Sequence, residues 1–188
     1  MRSRRSRIPQ RRPVFIGCEG ESETGYVGLL QDLLHAAGIP VHLITENLGL
    51  GAGDPLSRIE MAVRKIEHLR RTRTAPADRF VFLDHDQVQA DPARAHSAQR
   101  LADGHAISIV WQRPCFEALI LRHLPLCATR QPPDTPEAQR ALKREWPGYD
   151  KPMTRVALAR RIDLAAVLRA AAVETELRTL LDRIGLRS

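Results

Sequence analysis

The chain is poor in cysteine and in aromatic side chains, and no apolar run in it approaches the length of a membrane span. Cys18, Cys115 and Cys127 are too few and too irregularly spaced for a disulfide framework or a paired Cys-x-x-Cys zinc site, which fits a reducing compartment. Cys115, His123 and Cys127 have no evident fourth partner, so zinc is not expected. Aromatics are only 4% of the residues, so stacking platforms for single strands are scarce and the core must be built from Leu, Val, Ile and Ala. The arginine-rich start leads into no apolar signal core, because Pro9 and Pro13 interrupt it. The expectation is a soluble cytoplasmic protein with no membrane partner.

What is abundant is positive charge. Lys and Arg total 29 against 22 Asp and Glu, a formal charge of +7, and such an excess favours polyanionic partners without saying anything about catalysis. Arg2, Arg4, Arg5, Arg7, Arg11 and Arg12 all precede the first apolar segment. Residues 1–13 therefore read as a basic disordered arm, either a solvated tail or a sequence-independent phosphate binder. The remainder, residues 14–188, has the length and the 43% hydrophobic content of a single domain with a full core.

Periodicity along that domain alternates. Val14 to Cys18 is a short apolar run suited to a buried strand, and Val27, Leu30, Leu34 and Ala37 then recur at helical spacing, with Ser22 as a candidate cap and Gly38 and Pro40 as the stop. A second strand is predicted over Val41 to Thr45, a helix through Leu56, Ile59, Val63, Ile66 and Leu69, and a third strand at Phe80 to Leu83. A short helix over Pro92 to Ala102 and a fourth strand over Ala106 to Trp111 follow. Pro114 is placed to start another helix, and six prolines between residues 125 and 152 leave mainly loop with one helix near Pro136 to Trp146. Two helices, through Leu164 to Ala171 and Leu177 to Ile184, close the chain. The order implies an α/β fold: a mostly parallel four-stranded sheet flanked by helices, with C-terminal helices beyond it.

In such sheets the ligand site lies beyond the carboxyl ends of the strands, and that is where acidic residues collect here. Glu19, Glu21 and Glu23 follow strand one, Asp84 and Asp86 end strand three, and Glu117 falls in the first helical turn after strand four. If the strand persisted through Asp84 and Asp86, their carboxylates would share one side about 6–7 Å apart. Oxygen-only donors select Mg²⁺ or Mn²⁺ over zinc, and a cation so held suits phosphodiester chemistry; the plain alternative is that each acid caps a helix or faces water. His123 is either a general acid or base or a structural histidine, and Lys151 and Arg155 either stabilise phosphoryl charge or face solvent. Gly49, Gly51 and Gly53 lack the Gly-Lys-Ser/Thr ending of a phosphate loop and read as a flexible connection.

The stretches Cys18-Glu19-Gly20-Glu21-Ser22-Glu23, Leu83-Asp84-His85-Asp86 and Pro114-Cys115-Phe116-Glu117 with His123 resemble three blocks of the RloB-like family, and Tyr149-Asp150-Lys151 resembles a fourth. The resemblance departs in its first block, where Glu23 precedes Thr24, and at Arg113, where family members usually carry asparagine. It implies a Toprim-like core in which a glutamate after strand one (Glu19) and an Asp-x-Asp pair after strand three (Asp84, Asp86) bind divalent metal. It also implies a role in phage defence beside an ATPase partner. The reading that results is a Mg²⁺-dependent or Mn²⁺-dependent nuclease in which Glu19, Glu117 and Lys151 act on nucleic acid, with Glu23 and His123 as auxiliaries. The alternative is a non-catalytic binding or regulatory subunit docked on an ATPase.

Overall fold

The computed structural model describes residues 11–49, 54–72 and 75–187. Four strands, β1 (Arg12–Cys18), β2 (Val41–Asn47), β3 (Asp78–Asp84) and β4 (Ser108–Gln112), form one sheet in the order β2-β1-β3-β4, and every neighbouring pair is parallel. The expected α/β fold holds, a four-stranded parallel sheet flanked by helices with further helices at the C-terminal end, and the arrangement is Rossmann-like.

Parallel strands need crossovers, and these carry helices to both faces of the sheet. Alternate residues of β1 and β3 go to opposite cores. Val14, Ile16, Phe80 and Phe82 face a large cluster built with α1 (Glu21–Ala36), α5 (Phe116–His123) and the C-terminal helices α8 (Leu164–Ala171) and α9 (Thr175–Ile184). Phe15, Val81 and Leu83 face a smaller cluster under α2 (Pro55–Arg71) and α4 (Pro92–Gly104). Three further helices, α3 (Asp86–Ala90), α6 (Thr135–Glu145) and α7 (Arg155–Ala159), complete the described elements.

Several local expectations are corrected. Ser22 does not cap α1; the N-cap is Gly20 in extended backbone, and Ser22 sits inside the helix, where its hydroxyl accepts a 3.1 Å hydrogen bond from the Met153 amide. Pro114 lies outside α5, whose N-cap is Cys115. Arg12 and Pro13, expected in the arm, belong to β1, and Arg12 is held by the Asp78 carboxylate and the Arg183 carbonyl. Arg11 is exposed and contacts His35. Arg2, Arg4, Arg5 and Arg7 lie outside the described residues, as do Gly51 and Gly53.

Candidate metal and phosphate site

The site is assembled by the tips of β1 and β3. β1 runs out at Cys18, so Glu19 stands at the carboxyl edge of the sheet beside the end of β3. Its Oε2 accepts a 2.7 Å hydrogen bond from the Asp84 backbone amide, and its Oε1 faces Gln87 Nε2 at 3.4 Å. Asp84 in turn accepts a 2.9 Å hydrogen bond on Oδ1 from the Phe116 amide, which ties the end of β3 to the start of α5. The first turn of α1 contributes Glu23, buried on the same side. Glu19, Glu23 and Asp84 line one cavity of about 400 Å³ together with Glu21, Arg58 and Lys151.

The electrostatics follow from that crowding. Burial pushes Asp84 up to about 9, with the charges of Glu19, Glu23, Asp86 and Glu117 adding to it. Burial also raises Glu19, partly offset by the hydrogen bond from Asp84, and raises Glu23, partly offset by Lys151 and Arg58. The crevice therefore lacks enough positive charge of its own to keep all its carboxylates ionised at neutral pH.

Two internal cations compensate in part. Arg58 on α2 brings Nε to 3.5 Å from Glu19 Oε1 and donates from Nη1 to the carbonyls of Leu48 (3.2 Å) and Gly49 (2.9 Å). The seat depends on glycine: a Cβ at position 49 would stand 2.6 Å from Arg58 Nη1, and Gly49 has φ +137. Lys151 pairs with Glu117, a carboxylate only 1% exposed. Burial works against the Lys151 charge, but the Glu117 carboxylate outweighs it and holds the ammonium above its ordinary value. Lys151 is kept here by packing behind it. Gly25 of α1 lies so close to the Met153 carbonyl that a Cβ would collide with it, and the Ser22 hydroxyl bonds the Met153 amide.

The other expected site residues are placed differently. β3 stops at Asp84, so the condition that would have aligned Asp84 and Asp86 is not met; Asp86 opens α3 and accepts a 2.7 Å hydrogen bond from the Thr135 hydroxyl. Its charge reaches Asp84, but it does not line the crevice. His123 is fully buried with both ring nitrogens used, Nδ1 against the Leu119 carbonyl at 2.8 Å and Nε2 against the Tyr26 hydroxyl at 2.9 Å. Burial lowers it to about 4, so it is a neutral core group that does not line the crevice. Arg155 turns away to Asp32, 3.1 Å distant. Arg58 and Gln87 are the residues that sequence reasoning missed. For Arg58 a signal existed: it precedes Ile59 and lies one turn before Ala62 and two before Ile66, so it is a charge on the buried stripe of α2.

The donor set can be tested against a divalent cation. All donors are hard carboxylate oxygens, two of them from strand tips already hydrogen-bonded to each other, and their charge is under-compensated. As placed, no three His, Cys, Asp or Glu side chains among the described residues stand together as a ready-made ligand set. A closed protein cage is therefore not built among these residues; a cation here would take one or two carboxylates, as Mg²⁺ commonly does, with water and phosphate filling the rest. A cavity of about 820 Å³ lies elsewhere; its buried Arg122 is paired with Glu174 at 2.6 Å, and it has no comparable excess of one charge.

The fold is that of a parallel α/β protein with acids collected at its strand tips, and comparison with known proteins gives the family. The family model described as RloB-like protein matches residues 14–180, so the chain belongs to the RloB-like family. No curated protein and no solved structure matches it. No helix of the described residues is long and apolar enough to cross a membrane.

Proposed function

We propose that this protein is a Mg²⁺-dependent nuclease of Toprim-like type that hydrolyses phosphodiester bonds in nucleic acid as the effector of a phage-defence system. The observation that carries the reading is the pairing of Glu19 with Asp84 at adjacent strand tips, in a crevice whose carboxylates outnumber its cations. Glu19 and Asp84 would hold the cation, with Glu23 the nearest further carboxylate lining the cavity. When bound, Mg²⁺ or Mn²⁺ would neutralise phosphoryl charge and position the attacking water.

The chain's own residues have defined tasks in this reading. Gln87 and the Asp84 amide orient Glu19, and Arg58 offsets part of its charge. Lys151, half-exposed at the rim, faces the substrate phosphate and stabilises charge developing on it, while buried Glu117 positions that ammonium. The arginines ahead of β1, Arg2, Arg4, Arg5, Arg7 and Arg11, supply phosphate contacts without sequence preference. Membership of the RloB-like family supports the defence role and the ATPase partner that the resemblance implies.

The test is cleavage of labelled DNA and RNA with Mg²⁺ or Mn²⁺, with the ATPase partner and its trigger present. Glu19→Gln and Asp84→Asn should each stay folded and lose cleavage by several orders of magnitude; a folded Asp84→Asn that cuts as well as the parent contradicts the proposal. A second reading, a non-catalytic subunit that keeps the core as a scaffold, is favoured by the internal compensation from Arg58 and Lys151 and by the missing three-ligand set. It predicts no cleavage by the parent under any of these conditions.

A further inference from the structure

The acid crevice cannot by itself attract a polyanion, because Glu19, Glu21, Glu23 and Asp84 line it against Arg58 and Lys151 alone. A nucleic-acid strand with one phosphate there needs a cationic place nearby for the next. Lys151 also lines a second cavity, of about 390 Å³, and so forms the wall between the two.

That second cavity has the charge the first lacks. α6 contributes Arg140 and Lys143, and the opposite wall carries Tyr149 and Lys151. Of its two acids, Glu117 is matched by Lys151, and Asp150 is exposed to water. Arg140 holds Glu137 at 2.9 Å, but with 65% of its side chain exposed that pair is weak and exchangeable. Lys143 is exposed and pairs with no carboxylate among the described residues. Tyr149 is 5% exposed, and its buried hydroxyl has no hydrogen-bond partner among the described residues, a costly state for a donor unless something else takes the bond. The large cavity elsewhere offers no such site, since Arg113 and Arg122 there are taken by Glu176 and Glu174 at 2.7 and 2.6 Å.

We propose that the α6 cavity is a subsite for a backbone phosphate flanking the one in the acid crevice, held by Arg140 and Lys143 with the Tyr149 hydroxyl as a further donor. The proposal rests on the nucleic-acid reading and deepens it: it gives the strand a direction, from the β1 and β3 tips past Lys151 and along α6. Contacts of this kind hold the backbone and read no sequence.

Binding of fluorescein-labelled oligodeoxynucleotide and oligoribonucleotide, followed by anisotropy in EDTA across a salt series, tests this without any cleavage. Arg140→Glu with Lys143→Glu should raise Kd about tenfold and lower the salt slope by roughly one to two. Tyr149→Phe should weaken binding a few-fold at an unchanged salt slope. Arg70→Glu with Arg71→Glu, the same charge change on exposed positions at the end of α2, should alter Kd less than about twofold. Equal weakening by the α2 pair, an unchanged salt slope in the α6 pair, or no binding by the parent overturns the subsite. Binding that follows the predicted pattern in a protein that never cuts leaves the subsite standing and removes the nuclease reading alone.

Discussion

The Glu19 carboxylate accepts a 2.7 Å hydrogen bond from the backbone amide of Asp84, across 65 residues of sequence, and thereby fixes the tips of β1 and β3 to each other. The bond has a chemical consequence. It brings a second carboxylate beside Asp84, whose own oxygen is committed to the Phe116 amide. Both acids are largely buried with less positive charge around them than they need, a stability liability that a bound cation would relieve.

The liability sets a pH dependence. Burial and neighbouring acids raise Asp84 from 3.8 to about 9, so across that interval the folded state holds a proton that the unfolded chain releases. The stability this group contributes is fully present below pH 3.8 and is lost as pH rises towards 9. In EDTA, Asp84→Asn should remove that loss, keep the acceptor for the Phe116 amide, and raise the melting temperature at pH 8 by several degrees. Thermal denaturation of parent and variant at pH 6 and pH 8 checks it; a variant less stable than the parent at pH 8 contradicts the assignment.

Lys151 and Glu117 should behave as a coupled pair. Lys151→Met leaves the Glu117 carboxylate buried without its cation and should destabilise the protein by about 1–2 kcal/mol, the figure being reduced because Lys151 is half exposed. Lys151→Met combined with Glu117→Gln should recover most of that. Urea unfolding of the two single variants and the double variant gives the coupling directly; strictly additive changes would mean that the contact has no energetic weight.

Gly25 is predicted to be a positional requirement of the rim. A methyl group there meets the Met153 carbonyl, a backbone atom two residues beyond Lys151 that cannot swing aside. Gly25→Ala should cost more than about 2 kcal/mol in urea unfolding, whereas Gly38→Ala, where nothing lies within 4 Å, should show only the strain of its positive φ of +67.

The sheet and the acids at its edge were legible because apolar runs of four or five residues alternate with helical stripes, and a parallel sheet puts its site at strand ends. What could not be read was where a strand stops. Asp84 and Asp86 look equivalent in sequence, yet β3 ends between them, and a helix of five residues carries Asp86 to Thr135. The role of His123 was also closed to sequence reasoning, because it is decided by Tyr26, a partner 97 residues away. Arg58 was visible as a charge on a buried stripe, but its target depends on the carbonyls at the end of β2 and on the missing side chain of Gly49.

The central claim is that Glu19 and Asp84 form a divalent-cation site, and thermal denaturation with and without Mn²⁺ tests it most directly, because a ligand that binds only the folded state must raise its stability. The parent should gain several degrees in saturating Mn²⁺ at pH 8, and Asp84→Asn and Glu19→Gln should each lose that gain while remaining folded. A parent whose melting temperature does not move, or variants that keep the whole increment, would contradict it.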